Sequence, residues 1–253
     1  MVRTQSAFEM TPGLSQPLLL LPGLICDQTA WQQQIDALHD IAVCTCADYG
    51  SLDSLVAMAV ALLRTAPERF SIAGHSMGGR VALQVYRLAP HRVTRIALLN
   101  TGSSPRAAGA AGEQEARQRG ELVALAQSQG MRAMLLQWLP PMIAPHRIND
   151  TVLVNSILEM MSRKTPEIFA AQVRALLARP DATAVLDQIH CPALVLTGQE
   201  DGWSTPAQHA AMAAKIAGSN LVIVPHCGHM SMLEHPAEVS AALRDWLSQP
   251  PKA

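Results

Sequence analysis

Short, continuously apolar runs along the chain are separated by longer stretches in which apolar residues recur at helical spacing. Continuous apolar runs bounded by turn residues are typical of strands buried on both faces of a parallel sheet. On this pattern we predict six strands, at residues 18–21, 42–46, 70–73, 96–100, 193–197 and 221–224.

Helical patterns occupy the intervals between several of these runs. Apolar residues repeat at helical spacing over residues 52–63 and stop before Pro67, which cannot continue a helix. A second helix is predicted over residues 80–89, and a third over residues 237–247, opened by Pro236. Alternating strands and helices predict an α/β fold with a mostly parallel, doubly wound sheet.

Residues 103–184 interrupt this alternation. The strand signal disappears there, and Ala-, Gln-, Leu- and Met-rich helical patterns take its place, broken by prolines such as Pro140, Pro141 and Pro145. We therefore predict an α/β core formed by residues 1–102 and 185–253, with a helical insertion of residues 103–184 between two of its strands.

The first indication of a catalytic site is the sequence Gly74-His75-Ser76-Met77-Gly78. It directly follows the predicted strand 70–73 and precedes a predicted helix. This strand-turn-helix context is what a nucleophile elbow requires. The flanking glycines allow the strand and the helix to pack closely around a strained turn. The pattern alone occurs by chance in Gly-rich chains, but in this context it predicts Ser76 as a nucleophile.

A neutral serine needs a base within hydrogen-bond reach and a carboxylate that orients this base. The predicted strand 193–197 runs into a loop with Asp201, our candidate acid, and with Glu200, a chemically credible alternative. The last predicted strand runs into a loop with His229, our candidate base. His226 lies nearer the strand end, which favours a structural role.

A metal site is the competing interpretation of His226, Cys227 and His229. No second cluster completes a tetrahedral ligand set, so we predict neither a metal nor a cofactor.

Acyl transfer places negative charge on a carbonyl oxygen, which two backbone N–H groups must face. We assign one of these donors to Met77, directly after Ser76. The second is assigned to Leu24, in the turn that begins Pro22-Gly23 after the first predicted strand. An ordinary turn is the alternative interpretation of Pro22-Gly23.

Composition limits the function classes. Hydrophobic residues make up 49% of the 253 residues and charged residues 15%, which excludes a disordered chain. A net charge of −1 gives no field for nucleic acid or for an anionic membrane. The five cysteines lack paired spacing, and the sequence contains neither a signal-peptide core nor a membrane-length apolar run, so we predict a cytoplasmic protein with a small-molecule partner.

With these residues placed, the sequence resembles the α/β-hydrolase family over nearly its whole length, in the chain order Ser76, Asp201, His229. It is most similar to small bacterial esterase-like members, on the loop Leu-Leu-Pro-Gly-Leu-Ile-Cys-Asp of residues 20–27 and the following Trp31. The resemblance implies that the insertion is a helical cap over the pocket. The family's first two strands are barely represented in residues 1–17, so we expect six to seven strands.

The resemblance also implies where a substrate binds. Members often carry His-Gly where this chain has Pro22-Gly23, and a serine at position 76 argues against the branch that uses an aspartate nucleophile. The expected pocket residues are Leu24, Met77, Trp203 and Met230 from the core and Trp138 and Met142 from the cap, with Met134, Ile143, Met160 and Met161 as further cap candidates.

The expected activity is hydrolysis of a carboxylic ester or lactone of a small to medium, largely apolar substrate through an acyl-enzyme. Two alternatives stay open. One is hydrolysis of a carbon-carbon bond in a diketone, with Arg163 and Lys164 binding the acid end of the substrate. The other is a ligand receptor that retains the triad and turns over slowly. Fold analogy does not separate them, because function depends on the site.

Overall fold

Strands and helices alternate along the computed structural model, which describes residues 16–250. The elements in chain order are β1 (Gln16–Leu21), α1 (Gln32–Leu38), β2 (Ala42–Cys46), α2 (Leu55–Thr65), β3 (Phe70–His75), α3 (Met77–Leu88), β4 (Val93–Leu99), α4 (Gly109–Gln129), α5 (Met131–Trp138), α6 (Thr151–Ser162), α7 (Pro166–Leu177), α8 (Thr183–Leu186), β5 (Ala193–Gly198), α9 (Pro206–Lys215), β6 (Asn220–Val224), α10 (Ser231–Glu234) and α11 (Pro236–Ser248).

The strands form a single sheet in the order β2-β1-β3-β4-β5-β6, and every neighbouring pair is parallel. This confirms the predicted α/β fold with a parallel sheet, and the six strands agree with the six predicted runs to within a few residues. The expectation about early strands concerns residues 1–15, which lie outside the described residues.

Burial explains why the six runs differ in composition. The four central strands are buried on both faces, as shown by the fully buried β3 and β5. The edge strands β2 and β6 are more exposed, with one buried residue each. Strands of a parallel sheet are buried where helices cover both faces, and this cover is less complete at the two edges.

The strand order fixes where a site forms. The chain passes from β1 outward to β2 and then returns to place β3 on the other side of β1. Open α/β sheets bind ligands at such a switch point, outside the carboxyl ends of the strands. The loop after β1 and the turn after β3 therefore meet at the edge where Leu24 and Ser76 were predicted to act together.

The segment between β4 and β5 contains α4 to α8 and, in this fully described stretch, no strand. Three of its prolines begin elements: Pro140 and Pro145 each open a short 3-10 helix, and Pro166 is the first residue of α7, capped by Thr165. Proline suits a helix start because the N–H that it lacks has no partner there. The division into core and cap at residues 103 and 184 stays a prediction.

Candidate active site

Ser76 lies in a sharp turn between β3 and α3. Its φ of 53° and ψ of −115° are in a region that non-glycine residues rarely adopt. The turn is held by a hydrogen bond of 2.9 Å from the Ser76 N–H to the carbonyl of Leu99. A Cβ atom at Gly78 would lie 2.1 Å from the Leu21 carbonyl oxygen, and one at Gly74 would lie 2.4 Å from that of Gly78. Both flanking glycines are therefore required by close backbone approach.

His229 lies in the loop after β6 and reaches across the sheet edge to Ser76. Its Nε2 is 2.9 Å from the Ser76 Oγ, and the imidazole is buried. The His229 N–H donates to the carbonyl of Met142 at 2.8 Å. The insertion between β4 and β5 thus fixes the backbone that carries this imidazole.

Asp201 lies in the loop after β5, with its Oδ2 2.9 Å from the His229 Nδ1. Its Oδ1 accepts hydrogen bonds of 2.9 Å from the N–H groups of Trp203 and Ser204. Burial alone would raise the pKa of Asp201. The charge of His229 and the hydrogen bonds to the carboxylate outweigh this effect and hold the pKa well below its usual value. The structure therefore brings Ser76, His229 and an ionised Asp201 into one hydrogen-bonded chain.

Asn100 is a site residue that our sequence reasoning missed. Its Nδ2 donates to the Asp201 Oδ2 at 2.9 Å and to the Gly228 carbonyl at 3.2 Å, while its Oδ1 accepts from the Ser231 hydroxyl at 2.5 Å. Its φ is 48°, a conformation that asparagine tolerates better than most residues. The apolar pattern places Asn100 in a strand, although its position at the carboxyl end of β4 is a signal for a site residue.

Glu200 and His226, the alternatives to Asp201 and His229, lie at the surface. Glu200 lies 3.6 Å from the His226 Nδ1 and 3.8 Å from the His146 Nδ1, and the His226 side chain is 77% exposed. Glu200 and His226 therefore pair with each other at the surface, away from His229. In residues 16–250 no three His, Cys, Asp or Glu side chains are grouped as they would be around a metal ion.

His75, between Gly74 and Ser76, is a second histidine at the site. Its Nε2 is 2.8 Å from the His229 carbonyl oxygen, an acceptor, so Nε2 carries the proton. Burial, followed by the charge of His229, lowers the pKa of His75 to about 3. His75 is therefore neutral at ordinary pH and supports the base loop through a hydrogen bond.

The loop of residues 22–27 is held in place by the insertion. The Ile25 N–H donates to the Gln172 Oε1 at 2.8 Å, and the Gln172 Nε2 donates to the Gly50 carbonyl at 3.1 Å. Ile25 has a φ of 52°, so the loop takes a strained conformation next to Leu24. No sequence pattern indicates this role of Gln172, which has the character of an ordinary helix residue.

Two adjoining cavities meet at Ser76 and His229. The larger has a volume of about 610 Å³, and Met77 is part of its wall. The smaller has a volume of about 50 Å³ and is lined mainly by apolar side chains. The expected pocket residues found there are Leu24, Met142, Met161 and Met230, and Trp138 and Trp203 line both cavities. Met134, Ile143 and Met160 are buried but line neither of the two.

Trp138 and Trp203 form the wall that the two cavities share. Their rings stack with centroids 5.5 Å apart, and Trp138 also contacts the ring of Phe169 at 5.8 Å. Trp203 in turn contacts the His229 ring at 5.1 Å. A continuous aromatic surface thus runs from α7 to the imidazole.

The expected pocket residues are all apolar, whereas the larger cavity also has a charged part. Its wall includes five charged side chains, which we had not predicted: Arg80, Glu115, Arg119, Glu121 and Arg179. Charged residues on amphipathic helices usually face solvent, and sequence alone does not tell which of them a fold turns toward a cavity.

Arg163 and Lys164 do not line either cavity at Ser76. Arg163 forms a 2.7 Å ion pair with Asp27, and Lys164 forms one of 3.2 Å with Asp48. Their proposed role in holding the acid end of a diketone is therefore wrong.

Two further features concern the cysteines and the length of the apolar helices. All five cysteines lie within the described residues, and no disulfide joins them. Among residues 16–250, no helix is both long and apolar enough to cross a membrane.

A parallel sheet in this strand order, with a serine in a strand-turn-helix elbow, is the architecture of α/β hydrolases. Residues 18–242 match the alpha/beta hydrolase family, and the chain belongs to this family of enzymes. A pimeloyl-(acyl-carrier protein) methyl ester esterase of Photobacterium profundum is 31% identical over 255 residues, which cover 94% of this chain and 96% of that protein.

Two further comparisons agree with the family. An (E)-2-((N-methylformamido)methylene)succinate hydrolase of Acinetobacter baylyi is 28% identical over 264 residues, covering 98% of this chain and 96% of that protein. A thermophilic esterase from Thermogutta terrifontis superposes with a TM-score of 0.82 at 26% identity, covering 93% of this chain and 90% of that one. These three proteins are thus esterases and hydrolases that match the chain nearly end to end.

Proposed function

We propose that the protein hydrolyses a carboxylic ester or lactone of a small molecule through an acyl-enzyme. Ser76 is the nucleophile, His229 the general base and Asp201 the residue that orients the base. The observation that carries this proposal is the chain of two 2.9 Å hydrogen bonds from the Ser76 Oγ through His229 to Asp201. The esterase relatives support the reaction class.

In the acylation step, His229 Nε2 takes the Ser76 hydroxyl proton while Oγ bonds to the substrate's carbonyl carbon. Asp201 accepts a hydrogen bond from the His229 Nδ1–H, which fixes the tautomer and stabilises the imidazolium. The bond between the carbonyl carbon and the alcohol oxygen then breaks, and His229 returns the proton to the alcohol. Water adds to the acyl-enzyme with His229 again as base, releasing the acid and restoring Ser76.

The backbone N–H groups of Leu24 and Met77 would stabilise the oxyanion in both steps. Met77 begins α3, where N–H groups lack intrahelical partners. Leu24 and Ser76 both line the smaller cavity. Each such donor contributes about a hundredfold to a thousandfold in turnover when it is well placed.

The ester reaction is favoured over the carbon-carbon cleavage considered above. Two of the relatives are esterases, and the residues suggested for the acid end of a diketone, Arg163 and Lys164, pair with Asp27 and Asp48 instead. A slow-turnover receptor with the same triad is separated from an esterase by kinetics rather than by geometry.

The test is a series of p-nitrophenyl esters of increasing acyl length, assayed with the wild type, Ser76→Ala and Ser51→Ala. Ser51 is an exposed serine that serves as the matched control. We expect repeated turnover by the wild type and Ser51→Ala, and a loss of several orders of magnitude in Ser76→Ala. Equal activity in Ser76→Ala would contradict the mechanism, whereas a single slow turnover by the wild type would favour the receptor.

A further inference from the structure

Three guanidinium groups line the same cavity as Ser76. Arg80 follows Ser76 by one helical turn on α3, Arg119 lies on α4, and Arg179 lies just after α7. Two carboxylates share this cavity wall, those of Glu115 and Glu121. Arginine therefore outnumbers glutamate around a space that opens onto the candidate nucleophile.

The charged side chains of the cavity wall differ in their ion pairing. Glu115 accepts from Arg179 through both oxygens, at 2.7 Å each, and also from the Arg119 Nε at 3.0 Å. Glu121 is exposed. Arg80 donates to the Ser104 carbonyl at 2.8 Å, and within residues 16–250 no carboxylate lies at salt-bridge distance from it.

Arg80 is also the arginine whose environment most disfavours its charge. Burial, followed by the neighbouring charge of Arg179, lowers its pKa to about 10, so it stays protonated at neutral pH. A partly desolvated cation without a carboxylate partner attracts an anion more strongly than a solvated one does. The guanidinium forks match carboxylate and phosphate oxygens geometrically.

The adjoining small cavity differs in chemistry. Apart from Arg119, its wall is largely apolar, with Leu24, Met142, Met161 and Met230, and its volume of about 50 Å³ holds a group of only a few atoms. An ester whose carbonyl lies at Ser76 would thus have one small apolar arm and one larger arm beside the arginines.

We propose that Arg80 and Arg179, assisted by Arg119, form an anion subsite for a carboxylate or phosphate on the larger arm of the ester. This inference rests on the proposed function, since it names the substrate class of the same site. The small cavity takes the other arm, such as the methyl group of a methyl ester.

The first test compares monomethyl glutarate with methyl glutaramate, which carries a neutral amide in place of the free carboxylate. We expect the wild type to prefer the carboxylate in kcat/KM. A hydrogen-bonded charge of this kind is worth about tenfold to a hundredfold, so Arg80→Gln should remove most of that preference, mainly through KM. Activity on the neutral amide should change much less.

Two further variants separate a binding role from a structural one. Arg117→Gln removes an exposed charge from α4, the helix that also carries Arg119, and should leave the preference for the carboxylate unchanged. Glu115→Gln removes the carboxylate that occupies Arg119 and Arg179, so it should raise the preference for the carboxylate. Equal losses on both esters in Arg80→Gln, or no wild-type preference, would overturn the proposal.

Binding provides a readout that is independent of turnover. Calorimetry of glutarate with Ser76→Ala, and with Ser76→Ala combined with Arg80→Gln, should show binding that weakens about tenfold or more in the double variant. This result would support the subsite even if no ester were hydrolysed, so the two proposals fail separately. Absence of Arg80-dependent binding would overturn the subsite.

A methyl ester with a terminal phosphate tests whether the subsite takes a phosphate or a carboxylate. If kcat/KM for this ester exceeds that for monomethyl glutarate and depends on Arg80, the subsite takes phosphate. The reverse order with the same dependence assigns it to a carboxylate.

Discussion

Gln172 accepts a 2.8 Å hydrogen bond from the backbone N–H of Ile25, and both groups are buried. Gln172 belongs to α7 of the insertion, whereas Ile25 directly follows Leu24 in the loop after β1. A residue of the insertion therefore sets the conformation of the loop whose N–H group is proposed to stabilise the oxyanion.

We predict that Gln172→Leu lowers kcat with little change in KM. The substitution leaves the Ile25 N–H without its partner, and an unsatisfied buried donor costs about 1 to 3 kcal/mol, which the loop relieves by moving. Partial loss of one oxyanion donor should lower kcat about tenfold to a hundredfold. Steady-state kinetics on a short p-nitrophenyl ester measures this effect.

The matched variant is Gln172→Glu, which keeps an oxygen acceptor for Ile25 and loses the donor to Gly50. It should retain more activity than Gln172→Leu. If both variants show equal kcat values near that of the wild type, Gln172 does not position the loop.

The carboxylate partner of His229 gives the second prediction. Asp201→Asn should lower kcat by about a thousandfold to ten-thousandfold, because the amide no longer holds the imidazole in the reactive tautomer. Glu200→Gln should have little effect, since Glu200 pairs with His226 and His146. Comparing the two kcat values tests the assignment, and a larger loss in Glu200→Gln would transfer the role of the acid to Glu200.

The fold could be predicted because its strands carry a strong local signal. Strands such as β3 and β5 are buried on both faces, so nearly all of their residues are apolar or small. The Gly74–Gly78 pattern was also locally encoded, since it joined a strand to a helix with the glycines that close backbone contact demands. Local patterns of this kind depend on residues that are close in the chain.

The remaining parts of the site depend on contacts between distant segments. Arg80, Arg119 and Arg179 come from three separate segments of the chain, and no local pattern shows that they line one cavity. Gln172 and Ile25 are 147 residues apart. Asn100 was closest to being predictable, because asparagine at the end of a strand suits a positive φ.

The third prediction concerns Trp138, which stacks on Trp203 and lines both cavities. Trp138→Ala should enlarge the space beside Ser76 and shift the preferred acyl length. Pocket changes of a few methylene groups discriminate by about 1 to 3 kcal/mol, so relative kcat/KM between short and long acyl chains should change about tenfold to a hundredfold. Turnover of an acetate ester should change little.

Leu136→Ala is the control for Trp138→Ala. Leu136 lies on the same helix, α5, but its side chain is 57% exposed. The control should keep the wild-type length profile. An unchanged profile in Trp138→Ala would mean that Trp138 serves only to pack against Phe169 and Trp203.

The last prediction concerns pH and His75, whose pKa is lowered by burial from 6.5 to about 3. Between these values the unfolded chain binds a proton that the folded protein excludes, so the stability from neutral His75 is present above pH 6.5 and is lost as pH falls toward 3. The loss approaches about 1.4 kcal/mol per pH unit. His75→Gln keeps an N–H donor for the His229 carbonyl but does not titrate.

The free energy of unfolding, measured in urea for wild type and His75→Gln, therefore tests this linkage. Between pH 7.5 and pH 5, the free energy of unfolding of the wild type should fall by about 2 kcal/mol relative to that of the variant. Only the wild type loses the contribution of His75 over that range. A constant difference between wild type and His75→Gln would mean that His75 accepts a proton in the folded protein as readily as in the unfolded chain.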